Sequence, residues 1–267
     1  MKKSLLSLAA LAAAASCGAV WAEDAAAPAA AAPASAAATP APAAEASSPL
    51  SFNIGLVSLY KYRGQDQYFT GSEHYSRPAL QGGVDYAFSN GLYLGNWNST
   101  IKLPDPTSTS GKNANVEMDF YGGYKFATGP LGWDVGVLRY QYPGANALST
   151  TELYAGATYK ELTLKYSHTV SSKYFGLENG RNTGYLNLVW VHPLRDGLTL
   201  NASVGHTFMT SDVRAAGLPS YTDYSVGVAW DFMPKTTLTA AFVGADKSSS
   251  YGYVNKGKAI LGVKYTF

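Results

Sequence analysis

The chain has 267 residues, with 20 Tyr, 5 Trp, 27 Gly and only 14% charged side chains. Its 20 basic and 18 acidic residues give a net charge of +2, and without Lys2 and Lys3 the remainder balances at 18 against 18, so there is no electrostatic reason to expect a nucleic-acid partner. The lone cysteine is Cys17, so a chain cleaved after Ala22 has no disulfide, thiolate or Cys-ligated zinc chemistry.

In chain order, Lys2 and Lys3 precede an apolar run from Leu5 to Ala15 and then small residues up to Val20-Trp21-Ala22. That pattern predicts a cleaved secretory signal peptide over 1–22. The run falls short of the roughly 20 residues a spanning helix needs. Ala15-Ser16-Cys17 resembles a weak lipobox, but Ala14 stands where Leu is expected. Residues 23–49 are mostly Ala and Pro, a composition that buries no core, and they are read as an extended periplasmic tether. An Ala-rich helix is the alternative, and the repeated Pro argues against it.

From residue 50 to 267 the pattern changes to segments of about ten residues that alternate apolar and polar, the signature of membrane strands. The tenth segment sets Tyr224, Val226, Val228, Trp230 and Phe232 against Asp223, Ser225, Gly227, Ala229 and Asp231. The pattern predicts twelve strands: 51–62, 78–88, 91–101, 115–126, 131–142, 150–159, 161–170, 183–193, 197–208, 220–232, 235–246 and 257–267. The third, fifth and eighth alternate poorly, so bulges or misplaced strand ends are expected there. Short turns such as Ser89-Asn90-Gly91 and Met233-Pro234-Lys235 alternate strictly with longer polar links. This is the expectation for an all-β, antiparallel, up-and-down transmembrane barrel with periplasmic turns and external loops.

Phe52, Phe88, Phe126, Trp133, Tyr159, Trp190, Phe232 and Phe267 all fall near the turn-side strand ends, as an interfacial girdle would. The same aromatics could instead fill a soluble sandwich core. The chain closes on Lys264-Tyr265-Thr266-Phe267, with Tyr265 and Phe267 on one face. Outer-membrane barrels commonly end on an aromatic, so Phe267 is read as part of an assembly signal. Together with the leader, this predicts the outer membrane of a Gram-negative bacterium. Lipid, lipopolysaccharide and the barrel-assembly machinery would be the partners there.

Ordered fragments carry a family resemblance: Tyr62-Arg63-Gly64, then Pro78-Ala79-Leu80-Gln81-Gly82-Gly83-Val84-Asp85-Tyr86, Gly91-Leu92-Tyr93, Trp97, Glu117-Met118-Asp119-Phe120-Tyr121-Gly122-Gly123-Tyr124, Glu152-Leu153-Tyr154, Tyr174-Phe175-Gly176 and Tyr221-Thr222-Asp223-Tyr224. Across most of 51–267 the chain resembles the TorF porin family, also called the Gcw_chp domain. The resemblance implies an outer-membrane barrel that acts as a channel, with no defined substrate. The stretch after Arg63-Gly64 is longer and less regular than the family pattern.

Catalytic and cofactor signals are missing. His74, His168, His192 and His206 show no close metal-ligand spacing, and Ser167 and His168, as strand neighbours, point to opposite faces. Neither an enzyme nor a cofactor is expected. Function is therefore sought in the lumen. Glu117, Asp119 and Glu152 are predicted to line the outer mouth on strands four and six. Lys61, Arg63 and Lys258 would face them from strands one and twelve. Opposed charge rows would set a transverse field across the pore. Alternatively the charges bridge one another and close the lumen, or are simply solvated residues at loop ends. Twelve strands fall between filled small barrels and wide porins. The expectation is a narrow channel for passive diffusion of ions and small polar solutes. The competing expectation is a non-conducting barrel whose external loops bind a surface partner.

Overall fold

The computed structural model describes residues 48–69 and 72–267. The expected signal peptide and all but Ser48 and Pro49 of the expected tether lie outside the described residues. Twelve strands form the wall: β1 Leu50–Val57, β2 Ala79–Ala87, β3 Leu92–Pro104, β4 Asn113–Thr128, β5 Leu131–Gln141, β6 Thr150–Tyr159, β7 Leu162–Thr169, β8 Gly184–Arg195, β9 Leu198–Phe208, β10 Tyr221–Met233, β11 Thr236–Ala245 and β12 Lys258–Thr266. Each pairs antiparallel with its sequence neighbours, and β1 pairs with β12 to close the barrel. That seam runs from Asn53↔Thr266 to Val57↔Gly262. The Phe267 amide extends it by donating to Phe52 O at 2.9 Å.

Alternation sets the faces. On β10, Tyr224, Val226, Trp230 and Phe232 point outward and exposed, while Asp223 and Ala229 are buried inside. β4 repeats this, with Val116, Phe120, Tyr124 and Phe126 outside and Glu117, Asp119 and Tyr121 inside. A continuous apolar outer surface far exceeds what soluble monomers expose. It suits a barrel solvated by hydrocarbon, where closure satisfies every strand edge. The turn-end aromatics are mutually packed: Phe126 stacks on Trp133 at 6.3 Å, and Tyr265 meets Phe267 edge-on at 5.0 Å. Trp190 Nε1 donates to Glu161 Oε2 at 3.0 Å, keeping its polar edge satisfied at the rim.

Short turns with left-handed residues join strands at one end, including Lys160 (φ 55°), Gly197 (φ 70°) and Lys235 (φ 63°). Longer loops L1 to L6 crowd the other end, across 58–78, 105–112, 142–149, 170–183, 209–220 and 246–257. Register shifts occur on β3 between Thr100 and Leu103 and on β8 between Pro193 and Arg195, two of the three strands whose alternation falters. A third shift, between Asp231 and Met233 on β10, has no warning in the alternation, and β5 pairs without one.

The main departure from the sequence reading is at β1. The alternation predicts one strand through Tyr62, but the wall strand stops at Val57. The chain then turns inward, and Lys61–Tyr62 pairs with Gln65–Asp66 as a separate hairpin. Arg63 and Gly64 form its two-residue turn, with φ of 46° and 75°. Two consecutive positive φ values are what a type I′ hairpin turn requires.

Candidate functional site

The hairpin crosses the lumen. Tyr60, at its base, meets Trp97 of β3 edge-on at 5.5 Å. Tyr62 and Tyr140 of β5 join hydroxyls at 2.5 Å. Arg63 grips Glu152 of β6 with two parallel bonds, Nη1 to Oε1 at 3.1 Å and Nη2 to Oε2 at 2.7 Å. Its guanidinium lies 4.1 Å over the Tyr185 ring of β8. A Cβ on Gly64 would stand 2.6 Å from Gly244 O and 2.7 Å from Asp223 Cβ, so only glycine lets the tip seat against β10 and β11. A segment that leaves β1 and touches β3, β5, β6, β8, β10 and β11 has no route except across the interior.

Around this hairpin the loop end is packed solid. Phe175 of L4 inserts edge-on against Tyr140 at 4.9 Å, Tyr62 at 5.6 Å and Tyr142 at 6.3 Å. Such aromatic pairs add about 0.5–1.5 kcal/mol each beyond their buried area. L6 contributes Val254, whose carbonyl accepts from Lys61 Nζ at 2.8 Å, and Asn255, whose Oδ1 accepts from Gln65 at 2.8 Å. Lys61 also pairs with Asp66 at 2.7 Å. At the rim, Glu73 of L1 bridges Lys256 and Lys258 at 2.6 Å each. Those two ammonium groups hold the Glu73 carboxyl down at about 2, from an ordinary value of 4.5.

Below the cap the lumen opens. On β2, β4, β5, β7 and β12 the inward residues grade from buried at the loop end to partly exposed at the turn end, whereas on β11 Thr237, Thr239, Ala241, Val243 and Ala245 stay buried throughout. On β4 the order is Glu117, Asp119, Tyr121, then the accessible Gly123 and Lys125. On β12 it is Lys258, Ile260, then the accessible Gly262 and Lys264. The result is a polar vestibule entered from the turn end. Tyrosines line it without filling it, because each lies flat over a facing glycine. Tyr154 of β6 covers Gly136 of β5, and Tyr93 of β3 covers Gly123 of β4. Tyr93 joins hydroxyls with Tyr154 and donates to Asp134 at 2.6 Å. Lys165 Nζ sits 4.2 Å over the Tyr154 ring. Charge is concentrated on this side, at Asp85, Lys125, Asp134 and Lys165, whereas β8 to β10 present Asn187, Asn201, Ser203 and Ser225 at mid-height.

The six charged residues predicted to line the mouth are therefore inside the barrel but not arranged as two opposed rows. Glu117, Asp119 and Glu152 are 1–2% exposed, Lys61 and Arg63 1–2%, and Lys258 5%. Lys61 and Arg63 belong to the hairpin, not to a wall strand. Arg63 reaches Glu152 directly, so the separation expected between acidic and basic walls collapses into an ion pair. Glu117 accepts from Tyr142 at 3.0 Å, and Lys258 is taken by Glu73. This is the charge-bridging alternative of the sequence reading. Phe267 lies outside at the seam, 64% exposed. Sequence reasoning did not single out Tyr62, Tyr140 and Phe175 as a cap, nor Asp66 and Glu73 as partners. The signal for the hairpin is Lys61 and Asp66, opposite charges flanking a turn-competent Arg63-Gly64. Among the described residues no cluster of His, Cys, Asp or Glu is disposed to hold a metal ion. No helix among them is long and apolar enough to cross a membrane, which leaves the barrel itself untouched as a membrane structure.

Residues 43–267 match the Gcw_chp family, described as a bacterial protein of unknown function. No curated protein matches the sequence. Among solved structures, the fold is similar to the KdgM porin, with a TM-score of 0.53 at 9% identity over 81% of this chain and 99% of that one. A KdgM porin in complex with disordered oligogalacturonate aligns with a TM-score of 0.50 at 9% identity, covering 82% and 98%. The NanC porin aligns with a TM-score of 0.51 at 12% identity, covering 82% and 98%. At these identities the likeness concerns the fold alone.

Proposed function

The chain belongs to the Gcw_chp family of bacterial proteins of unknown function, so its activity has to be read from the barrel, and we propose a porin-like outer-membrane channel for passive diffusion of ions and small polar solutes. The observation that carries this reading is the polar, partly accessible inner face below the cap, with tyrosines folded flat over glycines within a fully closed wall. A barrel that served only as an anchor has no need of partly accessible lysines and carboxylates along its inner face. The wider part faces the turn end, which is the periplasmic side if turns and loops are disposed as in bacterial barrels. The narrow part is the capped loop end. In this reading Phe267 belongs to the assembly signal, and the TorF porin resemblance extends from sequence pattern to role. Lipid and lipopolysaccharide surround the wall, and the chain carries out no catalysis.

A second reading is favoured by one observation, the burial of the whole Leu59–Asp66 stretch within the lumen apart from Gln65. A barrel blocked this thoroughly fits a non-conducting platform whose L1 to L6 bind a surface partner. Planar-bilayer recording of refolded protein separates the two. The channel reading expects discrete current steps that scale with salt. Silence from the intact protein, and also from a version lacking the hairpin, would favour the platform.

A further inference from the structure

We propose that the Lys61–Asp66 hairpin is a displaceable plug that holds this channel shut and leaves the lumen as one unit, fastened at its tip by Arg63 to Glu152. The inference rests on the channel reading above and adds a gate to it.

Three features make the hairpin a unit and not merely a filled constriction. Its base is tied: the Gln67 amide donates to Tyr60 O at 2.9 Å, so the two arms enter and leave the lumen side by side. Much of its polarity is satisfied from within, since Lys61 Nζ bonds Asp66 at 2.7 Å and Gly64 O at 3.0 Å. An element that carries its own counter-charge loses less on withdrawal than one that would strand a bare ammonium. Its turn geometry is local, set by Arg63 and Gly64, and does not depend on the wall.

The tip is the fastening. The Arg63–Glu152 fork is bidentate and almost fully shielded from solvent, the geometry in which such pairs are strongest. The released state is nonetheless supported on the wall side. Glu152 keeps the Tyr140 hydroxyl at 3.3 Å and Thr169 Oγ1 at 3.4 Å when Arg63 departs. Below the cap, Lys125, Lys165 and Lys264 are already partly accessible from the turn end. Displacing the hairpin would withdraw the segment that spans the lumen between this inner face and the loop end. The rest of L1 stays moored at the rim through Glu73, Lys256 and Lys258, which gives the hairpin a fixed point to swing from.

The bonded base also supplies the test. Because Tyr60 and Gln67 already adjoin, Lys61–Asp66 can be replaced by Gly-Gly without moving β1 or β2. The hairpin-less protein, Glu152→Gln and wild type would be refolded and checked for a shift in gel migration on boiling. Single-channel currents would then be recorded for each. The plug predicts brief openings in wild type and a steady conductance of similar amplitude without the hairpin. Glu152→Gln should raise the open fraction at least about tenfold at wild-type amplitude, since cutting a buried pair on one side is strongly destabilising. If wild type stays open as steadily as the hairpin-less form, the plug is wrong and the channel stands. If neither conducts, the channel reading itself fails and the plug with it. Should the replacement not refold, an unchanged open fraction in Glu152→Gln is enough to overturn the fastening.

Discussion

Seating a tyrosine over a glycine can be tested with a single methyl group. Gly136→Ala adds a Cβ that would lie 2.5 Å from Gly122 O, a main-chain atom of the paired strand, and hard against the Tyr154 hydroxyl. Neither neighbour yields cheaply. The carbonyl belongs to the ladder, and Tyr154 is tied to Tyr93, which is tied to Asp134. Overpacking of this sort costs about 1–3 kcal/mol. A matched control lies one strand away on the same inward face: a Cβ on Gly156 would have its nearest neighbour, Leu164 O, at 3.6 Å, an ordinary contact. Gly156→Ala should be neutral or stabilising by about 0.5–1 kcal/mol, as expected for glycine in a strand. The two variants should thus differ by roughly 1–4 kcal/mol, at least about fivefold in the folded-to-unfolded ratio. Guanidinium unfolding of protein refolded into lipid vesicles, followed by tyrosine and tryptophan fluorescence, would measure it. Tyr154→Phe should recover only part of the loss, because the backbone clash persists. Equal stability of Gly136→Ala and Gly156→Ala would refute the seating argument.

The face assignment predicts that Val226→Arg, on the lipid side of β10, costs about 2–4 kcal/mol, whereas Ser225→Arg next to it, inside the barrel, costs far less; comparable losses in the same unfolding assay would show the faces to be misassigned. The rim clamp should resist acid. A carboxyl depressed from 4.5 to about 2 contributes fully above its ordinary value, and the contribution is lost as pH falls through about 2. L1 should therefore keep its protection from protease at pH 4 and lose it near pH 2, and a Glu73 NMR titration midpoint close to 4.5 would contradict this. Cysteines placed at Ser110 in L2 should react with an impermeant thiol reagent on whole cells while one at Asn90 in a turn should not; the opposite pattern would invert the barrel. Deleting Phe267 should lower the amount of assembled, heat-modifiable protein, and unchanged assembly would make the residue dispensable.

Much of the wall can be read directly from the sequence. The sixth strand is predicted as 150–159 and observed as Thr150–Tyr159, and most other ends agree within two residues. Lipid demands an apolar side chain at every second position, so each strand states its own face. The interior obeys no such rule. Lys61 and Arg63 alternate as a wall strand would, and nothing local distinguishes a strand continuing upward from one folding into the lumen. What decides between them is the fit of Gly64 against β10 and β11 and of Arg63 against Glu152, partners 89 residues apart in the case of the ion pair. The charge rows failed for the same reason. Once the hairpin enters, acid and base that lie on separate elements become neighbours. The bulge on β10 went unseen because its alternation runs cleanly up to Phe232, next to the point where the register shifts.

The seam between β1 and β12 is among the shortest ladders in the wall, spanning Asn53↔Thr266 to Val57↔Gly262, whereas β4 and β5 remain paired from Met118↔Gln141 to Thr128↔Leu131. L1 rises from this seam and sutures it: Ser58 N donates to Leu261 O at 2.8 Å, Leu261 N donates to Ser58 Oγ at 3.0 Å, and Glu73 reaches across to Lys256 and Lys258. Occluding the lumen and keeping the cylinder from unzipping are therefore tasks of one loop. Sequence drift in L1 is constrained twice over, and a lineage that trimmed it to widen the passage would have to lengthen the β1–β12 ladder in compensation.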